Sequence, residues 1–251
     1  MWSDSGRFCF VSDVHLGAAD DPQGRREKEF VSFLRSVPQD TRALFLTGDI
    51  FDFWVDYKYV VPRGYTRVLG ELAALSDRGC RIFFFRGNHD YWVTDYFEKE
   101  LGMEVVDEPF RLFSLNGKTF CVGHGDGLYR GSFKERLTFS LFHNPFLIRC
   151  LRAVPSGLIF GFAHWWSGKS RSSNMQHVFE VEDSPILRFA EDFEKKHAVD
   201  CFVFGHFHKP SVTRLPGGAT LYILGDWYAG ASALYFSGMG MEGRGLPNIQ
   251  R

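Results

Sequence analysis

Acidic, amide and imidazole side chains follow several short apolar runs of the chain at spacings that suit metal binding. The first case is Asp13-Val14-His15, which follows the apolar run 8–11 and Ser12. Residues i and i+2 of an extended chain project to the same side, so both side chains can reach one point. Later apolar runs are followed by Asp49, by Asn88 and His89, by His124, and by His206 and His208.

These side-chain types indicate a site for divalent metal ions. Carboxylate, imidazole and amide oxygen without thiolate suit Mn²⁺, with Fe, Co, Zn or Mg as alternatives. The groups are too many for one ion and enough for two if one carboxylate bridges them. Two ions about 3.5–4 Å apart bind a phosphate and lower the pKa of a water, which makes hydroxide available at neutral pH. The predicted chemistry is hydrolysis of a phosphoester or a phosphoanhydride.

The apolar runs are predicted to be strands that alternate with amphipathic helices. Strand and helix alternate three times, which indicates an α/β fold with parallel strands. The predicted elements are strands 8–11, 43–47 and 81–85 and helices 25–37, 65–78 and 92–101. Ligands of open α/β sheets bind beyond the carboxyl ends of the strands. We therefore expect the polar residues that follow these strands to converge.

The pattern changes after residue 109. We predict hairpins over 110–122 and 212–224, a helix over 183–197, and strands over 200–204 and 231–237. The glycine-rich tail after Gly238 is expected to be loose. Glycine stands immediately before four of the polar strand ends, where it lets the chain turn sharply and approach a ligand. These four are Gly48, Gly87, Gly123 and Gly205.

The composition argues against several classes of protein. The chain has 29 Lys and Arg against 30 Asp and Glu, so charge gives no case for nucleic-acid binding. No stretch approaches the roughly 20 apolar residues of a spanning helix, and the N-terminus does not resemble a signal peptide. The five cysteines form no CxxC pair and are expected to be buried, reduced thiols. These features predict a cytoplasmic protein.

In this order the motifs resemble those of the calcineurin-like metallophosphoesterase superfamily. They are Asp-x-His, Gly-Asp, Gly-Asn-His-Asp, Gly-His and Gly-His-x-His. The resemblance implies a four-layer α/β-β/α sandwich of two mixed β-sheets flanked by helices. It implies one ion held by Asp13, His15, Asp49 and His208, and a second held by Asp49, Asn88, His124 and His206. It also implies that His89 stabilises developing charge or protonates the leaving oxygen, with Asp90 orienting it.

Several segments are similar to the UDP-2,3-diacylglucosamine hydrolase family of lipid A synthesis. They are 12–17, 46–54, 124–127 and 224–227. That family hydrolyses the diphosphate of a UDP-linked diacylated glucosamine, which gives UMP and 2,3-diacylglucosamine 1-phosphate. The resemblance implies a lipid-linked nucleotide sugar as substrate, in contact with Asp126. The enterobacterial type has arginine at the position of His89. The alternatives are therefore a related branch that acts on another nucleotide, phospholipid or phosphomonoester, and a non-catalytic binding scaffold.

Residues 130–177 are predicted to form a helical cap inserted into a core of residues 1–129 and 178–251. The insertion is rich in aromatic and aliphatic residues with Lys and Arg among them. Its apolar residues either enclose acyl chains or pack the cap onto the core, and its basic residues can meet anionic lipid head groups. One segment resembles the family's substrate-binding segment and contains Ser167, Lys169, Arg171 and Asn174. Lys169 and Arg171 either bind the diphosphate or belong to a solvated turn. We expect a peripheral protein on the cytoplasmic face of the inner membrane.

Overall fold

The computed structural model describes most of the chain outside the predicted cap. The described residues are 1–57, 59–128, 154–155, 157–159, 161, 181, 184–228 and 230–247. Their strands are β1 Trp2–Asp4, β2 Arg7–Val11, β3 Thr41–Leu46, β4 Arg81–Phe85, β5 Glu104–Val106, β6 Phe110–Leu115, β7 Lys118–Gly123, β8 Cys201–Phe204, β9 Ser211–Arg214, β10 Thr220–Ile223, β11 Ala233–Ser237 and β12 Gly240–Arg244. Their longer helices are α1 Arg25–Ser36, α2 Thr66–Asp77, α3 Tyr96–Leu101 and α4 Pro185–Glu194.

The strands form two mixed sheets of six strands each. The first sheet has the order β12-β11-β2-β3-β4-β5, in which β2 to β5 are parallel and β11 is antiparallel to β2. The second has the order β1-β6-β7-β8-β10-β9, in which β7, β8 and β10 are parallel. Helices α1, α2 and α3 pack on the first sheet, and α4 packs on the second. Two mixed sheets flanked by helices confirm the predicted fold class.

Side chains of β2 point alternately to opposite faces of the sheet and so contribute to two layers of the core. Phe8 and Phe10 face the space between the two sheets, whereas Cys9 and Val11 face the helices. The ring of Phe10 stacks on Phe45 of its own sheet, with ring centroids 4.6 Å apart, and lies 5.8 Å from Phe120 of the other sheet. Part of the large phenylalanine content of the chain therefore fills the interface between the sheets. Fully burying one such side chain contributes about 1.5–3 kcal/mol.

Two local predictions are wrong. Helix α3 begins at Tyr96 rather than at residue 92, because Trp92 forms a parallel β-bridge with Val55. The tail after Gly238 is not loose up to residue 244, because β12 pairs antiparallel with β11 along its whole length. That pairing uses backbone hydrogen bonds, which a glycine-rich composition does not reveal. No helix among the described residues is long and apolar enough to cross a membrane.

Candidate metal centre

Strand ends from both sheets bring the predicted ligands together. Strands β2, β3 and β4 are neighbours in the first sheet, and β7 and β8 are neighbours in the second. Backbone hydrogen bonds join neighbouring strand ends within each sheet. In the first sheet the Asp13 N–H donates to the Gly48 carbonyl oxygen at 3.1 Å. In the second sheet the Gly205 N–H donates to the His124 carbonyl oxygen at 2.8 Å. The sheets meet where the His206 N–H donates to the Asp13 carboxylate at 3.0 Å. The site thus spans two sheets rather than the edge of one.

The first predicted ligand set is compact. Asp13, His15, Asp49 and His208 each offer one ligand atom, and these atoms lie within 4.8 Å of one another. Nε2 of His15 is 3.9 Å from Oδ1 of Asp13 and 3.9 Å from Oδ2 of Asp49. Nε2 of His208 is 3.7 Å from the same oxygen of Asp13. The four side chains surround a space in which one cation can contact them all.

The second predicted set shares Asp49 with the first. Nε2 of His124 lies 3.5 Å from Oδ2 of Asp49 and 3.3 Å from Oδ1 of Asn88. Nδ1 of His206 lies 2.9 Å from the same oxygen of Asn88. Oδ2 of Asp49 therefore lies between imidazoles of both sets. Asp49 is thus the carboxylate that the two predicted sets would share.

Within the described part of the chain, three polar atoms of the first set have no hydrogen-bond partner. They are both ring nitrogens of His15 and Oδ2 of Asp49, on side chains that are each 1% exposed. A buried polar atom without a partner costs free energy, and such groups in proteins normally have one. A divalent cation supplies a partner for imidazole nitrogen and carboxylate oxygen at once. The residues present therefore fit a metal ion.

The backbone is strained at the same positions. Six non-glycine residues in the described part of the chain have positive φ, and five of them are predicted ligands. These five are Asp13, His15, Asp49, His206 and His208, with φ between 49° and 70°. Such conformations are costly for non-glycine residues and persist where the surroundings impose them, often at functional sites. Asp13 and His15 therefore converge through a left-handed loop and not through the extended chain that their spacing predicted.

Glycines at the strand ends allow the loops to approach closely. A Cβ on Gly87 would overlap the carboxylate and backbone nitrogen of Asp49. A Cβ on Gly205 would overlap the side chains of Ser12 and Asp13. At these two positions the absence of a side chain is what lets one strand end touch the next.

Burial and the neighbouring carboxylates set the charges of the histidines. Burial lowers the pKa of His15 and lowers that of His206 to about 3, so both rings stay neutral, the form in which imidazole binds a metal. Burial also lowers the pKa of His124, but Asp49 outweighs it and raises that pKa well above its usual value. Burial raises the pKa of Asp49, and the adjacent His124 and His89 bring it well below the usual range. The ionised carboxylate of Asp49 thus favours positive charge beside it.

The structure places Asp52, not Asp90, beside the ring of His89. Nδ1 of His89 lies 3.1 Å from the Asp52 carbonyl oxygen and 3.6 Å from its carboxylate. The oxygens of Asp90 instead accept backbone N–H groups at 2.8–3.2 Å, and the donors are Gly87, Asp49, Ile50 and Phe51. The expectation that Asp90 orients His89 is therefore corrected. Asp90 shapes the two loops, and Asp52 contacts the ring.

Of the predicted substrate contacts, only Asp126 lies among the described residues. It follows His124 by two positions, and burial raises the pKa of its carboxyl to about 6. The others lie outside the described residues, and they are Ser167, Lys169, Arg171 and Asn174. Of the predicted cap, Ile159 belongs to a buried hydrophobic cluster that also contains Phe53 and Trp92.

A family model described as calcineurin-like phosphoesterase matches residues 6–210. The chain belongs to the calcineurin-like phosphoesterase family. This confirms the resemblance of the motifs, and the phosphoesterase is a hydrolase.

The phosphoesterase is also similar to two curated proteins named UDP-2,3-diacylglucosamine hydrolase. The one from Porphyromonas gingivalis is 38% identical over 238 residues, which cover 88% of this chain and 90% of that protein. The one from Shewanella piezotolerans is 30% identical over 246 residues, which cover 96% and 98%. A crystal structure of a dimetal phosphatase from Danio rerio has 15% identity and a TM-score of 0.49, with 95% of each chain covered.

Two acidic residues of this phosphoesterase that touch the site were missed as site residues. Asp52 meets His89, and Asp226 lies 3.2 Å from Nδ1 of His208. Both belong to segments that resembled the hydrolase family, 46–54 and 224–227. The sequence did offer a signal for both residues. Each is an aspartate in a segment that resembles the family, and neither was assigned as a metal ligand.

Proposed function

We propose that the chain hydrolyses the diphosphate of UDP-2,3-diacylglucosamine in lipid A biosynthesis. The products are UMP and 2,3-diacylglucosamine 1-phosphate. The observation that carries this proposal is similarity over nearly the whole chain to two proteins named for that substrate, at 38% and 30% identity. The clustered carboxylates and imidazoles support it, because they are the groups that a dimetal phosphoesterase needs.

The proposed cofactor is a pair of divalent ions, with Mn²⁺ the best match to this donor set. One ion is held by Asp13, His15, Asp49 and His208, and the other by Asp49, Asn88, His124 and His206. When bound, the ions polarise the diphosphate and lower the pKa of a water. Asp49 serves both, which agrees with the position of its Oδ2 near His15 and His124.

His89 is the proposed proton donor or charge stabiliser. The carbonyl oxygen of Asp52 only accepts hydrogen bonds, so Nδ1 of His89 carries a proton. In the imidazolium form Nε2 also carries one, which it gives to the bridging oxygen or uses to stabilise charge there. The water oxygen joins the uridine-bearing phosphorus, and the bridging oxygen leaves with the sugar 1-phosphate. The fixed Nδ1 contact keeps the ring in one orientation during this transfer.

The proposed substrate path includes Asp126 and the segment 130–177. Asp126, Ser167, Lys169, Arg171 and Asn174 contact the substrate, with Lys169 and Arg171 at its diphosphate. The apolar residues of 130–177 receive the acyl chains at the cytoplasmic face of the inner membrane. The hydrophobic cluster that Ile159 shares with Phe53 and Trp92 supports this path, because Phe53 and Trp92 follow Asp52 and His89 closely along the chain.

The test is hydrolysis of UDP-2,3-diacylglucosamine in detergent micelles by purified protein with Mn²⁺. UMP is measured by chromatography, and reaction in ¹⁸O-water is expected to place the label in UMP. Asp49→Asn is expected to abolish UMP release, and Asp192→Asn, on the exposed side of α4, is the matched control. Absence of UMP release in the wild type refutes the proposal.

The same assay separates the two alternatives. Turnover of bis-p-nitrophenyl phosphate without turnover of the lipid favours a related branch of the family that acts on another substrate. This alternative arises because His89 stands where the enterobacterial enzymes have arginine. Less than one ion per chain after gentle purification, with no turnover of any phosphoester, favours a non-catalytic scaffold.

A further inference from the structure

The segment 225–228 contacts the first ligand set from outside. It follows β10, and its sequence is Gly-Asp-Trp-Tyr. The Trp227 N–H donates to the Asp13 carbonyl oxygen at 3.3 Å, and the Tyr228 ring packs nearly parallel to the His15 ring, with centroids 5.8 Å apart. Asp226 reaches His208. One short segment therefore contacts three of the four residues proposed to hold the first ion, two of them through their side chains.

The contact between Asp226 and His208 involves the ring nitrogen that faces away from the site. Nδ1 of His208 lies 3.2 Å from Oδ2 of Asp226, whereas Nε2 faces Asp13 at 3.7 Å. A carboxylate oxygen accepts hydrogen bonds, so in the neutral ring of His208 Nδ1 carries the proton and the lone pair of Nε2 is free. Oδ1 of Asp226 in turn accepts the Tyr228 N–H at 3.2 Å, which fixes the direction of the carboxylate.

His208 is less buried than His15 and His124, so the contact with Asp226 matters more for its orientation. Its side chain is 37% exposed, whereas those of His15 and His124 are each 1% exposed and are held by burial. Nδ1 of His124 also lies 2.8 Å from the backbone carbonyl of Thr47. The ring of His208 lacks such burial, and its Nδ1 contacts the side chain of Asp226 where Nδ1 of His124 contacts a backbone carbonyl.

We propose that Asp226 is the positioning residue of the first metal site. By accepting the Nδ1 proton of His208 it selects the tautomer that presents the Nε2 lone pair to the ion, and so it sets the affinity of that site. The assignment rests on the proposed function, in which His208 is a ligand. Groups that hold a ligating imidazole in this way typically change metal affinity about 10- to 100-fold when they are removed.

Asp226→Asn is the sharpest variant because it keeps the shape of the side chain. Its single amide oxygen can accept from Tyr228 or from His208 but not from both. With the oxygen on the Tyr228 N–H, the amide NH₂ faces Nδ1 of His208 and favours a proton on Nε2, the wrong tautomer for binding. In this orientation Asp226→Asn keeps the hydrogen bond from the Tyr228 N–H but shifts the proton of His208 to Nε2. That is the effect expected when a positioning residue is changed. Asp226→Ala removes both, and Asp192→Asn is the control.

Mn²⁺ affinity is measured by calorimetric titration of the metal-free full chain. We expect two strong sites in the wild type and in Asp192→Asn, and one site weakened about 10- to 100-fold in Asp226→Asn and Asp226→Ala. Loss in Asp226→Ala with wild-type affinities in an Asp226→Asn variant whose His208 proton has moved to Nε2 indicates that only the turn matters, and it overturns the proposal. Thermal melting of each variant checks that it is folded.

The tautomer is measured separately by long-range ¹H–¹⁵N correlation of the imidazoles in metal-free protein at alkaline pH. We expect His208 of the wild type to carry its proton on Nδ1, and Asp226→Asn to shift the proton towards Nε2. A wild-type proton on Nε2 overturns the proposal without any variant. Failure of the wild type to bind two ions contradicts the proposed function instead, and the tautomer measurement still decides the role of Asp226.

Discussion

Oδ2 of Asp90 lies 2.8 Å from the backbone nitrogen of Ile50, so a buried carboxylate from the loop after β4 closes the loop after β3. The same carboxylate accepts N–H groups from Asp49 and Phe51 in that loop and from Gly87 in its own. Both loops carry proposed metal ligands. Asp90 therefore sets the separation of the two loops without facing the ions.

Asp90→Asn is expected to destabilise the protein. The amide offers one acceptor oxygen where the carboxylate offers two, so backbone N–H groups on one side lose their partner and face the amide NH₂. Leaving one buried donor unsatisfied costs about 1–3 kcal/mol. Unfolding by urea measures the loss. The control Asp95→Asn, on an exposed aspartate paired with Lys99, is expected to change stability by no more than about 0.5 kcal/mol. Equal stabilities of the two variants would contradict this role.

Gly87→Ala is expected to damage the site through the close approach of two strand ends. The new methyl group would overlap Asp49, so the bridging carboxylate or the strand end must move. Overpacking of this kind costs about 1–3 kcal/mol, and Mn²⁺ binding is expected to weaken. The matched control is Gly70→Ala in α2, where a Cβ meets nothing within 4 Å. That change is expected to stabilise the protein by about 0.5–1 kcal/mol. Chemical denaturation and metal titration of both variants provide the comparison.

Phe10→Ala is expected to weaken the contact between the sheets. The ring is fully buried and stacks between Phe45 of its own sheet and Phe120 of the other. Removing a buried phenylalanine side chain costs about 3–5 kcal/mol. Unfolding by urea is expected to show that loss, whereas Tyr59→Ala, at an 84% exposed ring, is expected to have a much smaller effect. A loss below 1 kcal/mol would show that the interface repacks around the gap.

The position of the candidate ligands at the ends of strands could largely be predicted from local sequence. Asp49 and His124 follow apolar runs that are strands, and their order along the chain matched a family pattern. Convergence from two sheets was not predicted from strand ends alone, since β7 and β8 belong to a sheet whose position depends on the packing of Phe10 on Phe120.

The missed contacts share one physical cause. Asp226 is 18 positions from His208, and Asp52 is 37 positions from His89. At these separations the periodicity of a helix or strand does not predict a contact. The left-handed conformations of Asp13 and His15 are likewise imposed by neighbouring loops, against the preference of those residues. Tertiary packing decides such features, and residue types alone do not.

Metal removal is expected to lower stability. Without ions, Oδ2 of Asp49 and the ring nitrogens of His15 are buried and find no hydrogen-bond partner among the residues that the structure describes. An ion that binds only the folded chain adds about 2.7 kcal/mol per site at a free concentration about 100 times its Kd. Thermal melting after chelation and after readdition of Mn²⁺ measures this difference. Ca²⁺ is the comparison ion, and it is expected to stabilise less because it prefers oxygen ligands. Identical melting with and without Mn²⁺ would contradict the proposed site.

His89→Ala is expected to lower kcat and leave Mn²⁺ binding intact. The backbone N–H of His89 donates to Oδ1 of Asp49 at 2.9 Å, and this contact survives removal of the ring. Loss of a general acid typically costs about 100- to 10 000-fold in rate. Steady-state kinetics with UDP-2,3-diacylglucosamine, together with calorimetric titration of Mn²⁺, separate the two effects. Loss of metal binding in this variant would show that the ring holds the site together.

His89→Arg distinguishes charge stabilisation from proton donation. A guanidinium keeps positive charge near the leaving oxygen but does not release a proton near neutral pH. If the ring acts mainly by its charge, the arginine variant is expected to recover much of the rate that His89→Ala loses. If the ring acts mainly by giving up a proton, both variants are expected to be equally slow with the lipid substrate. A substrate with a better leaving group, bis-p-nitrophenyl phosphate, then restores the rate of both, because its leaving oxygen needs no proton.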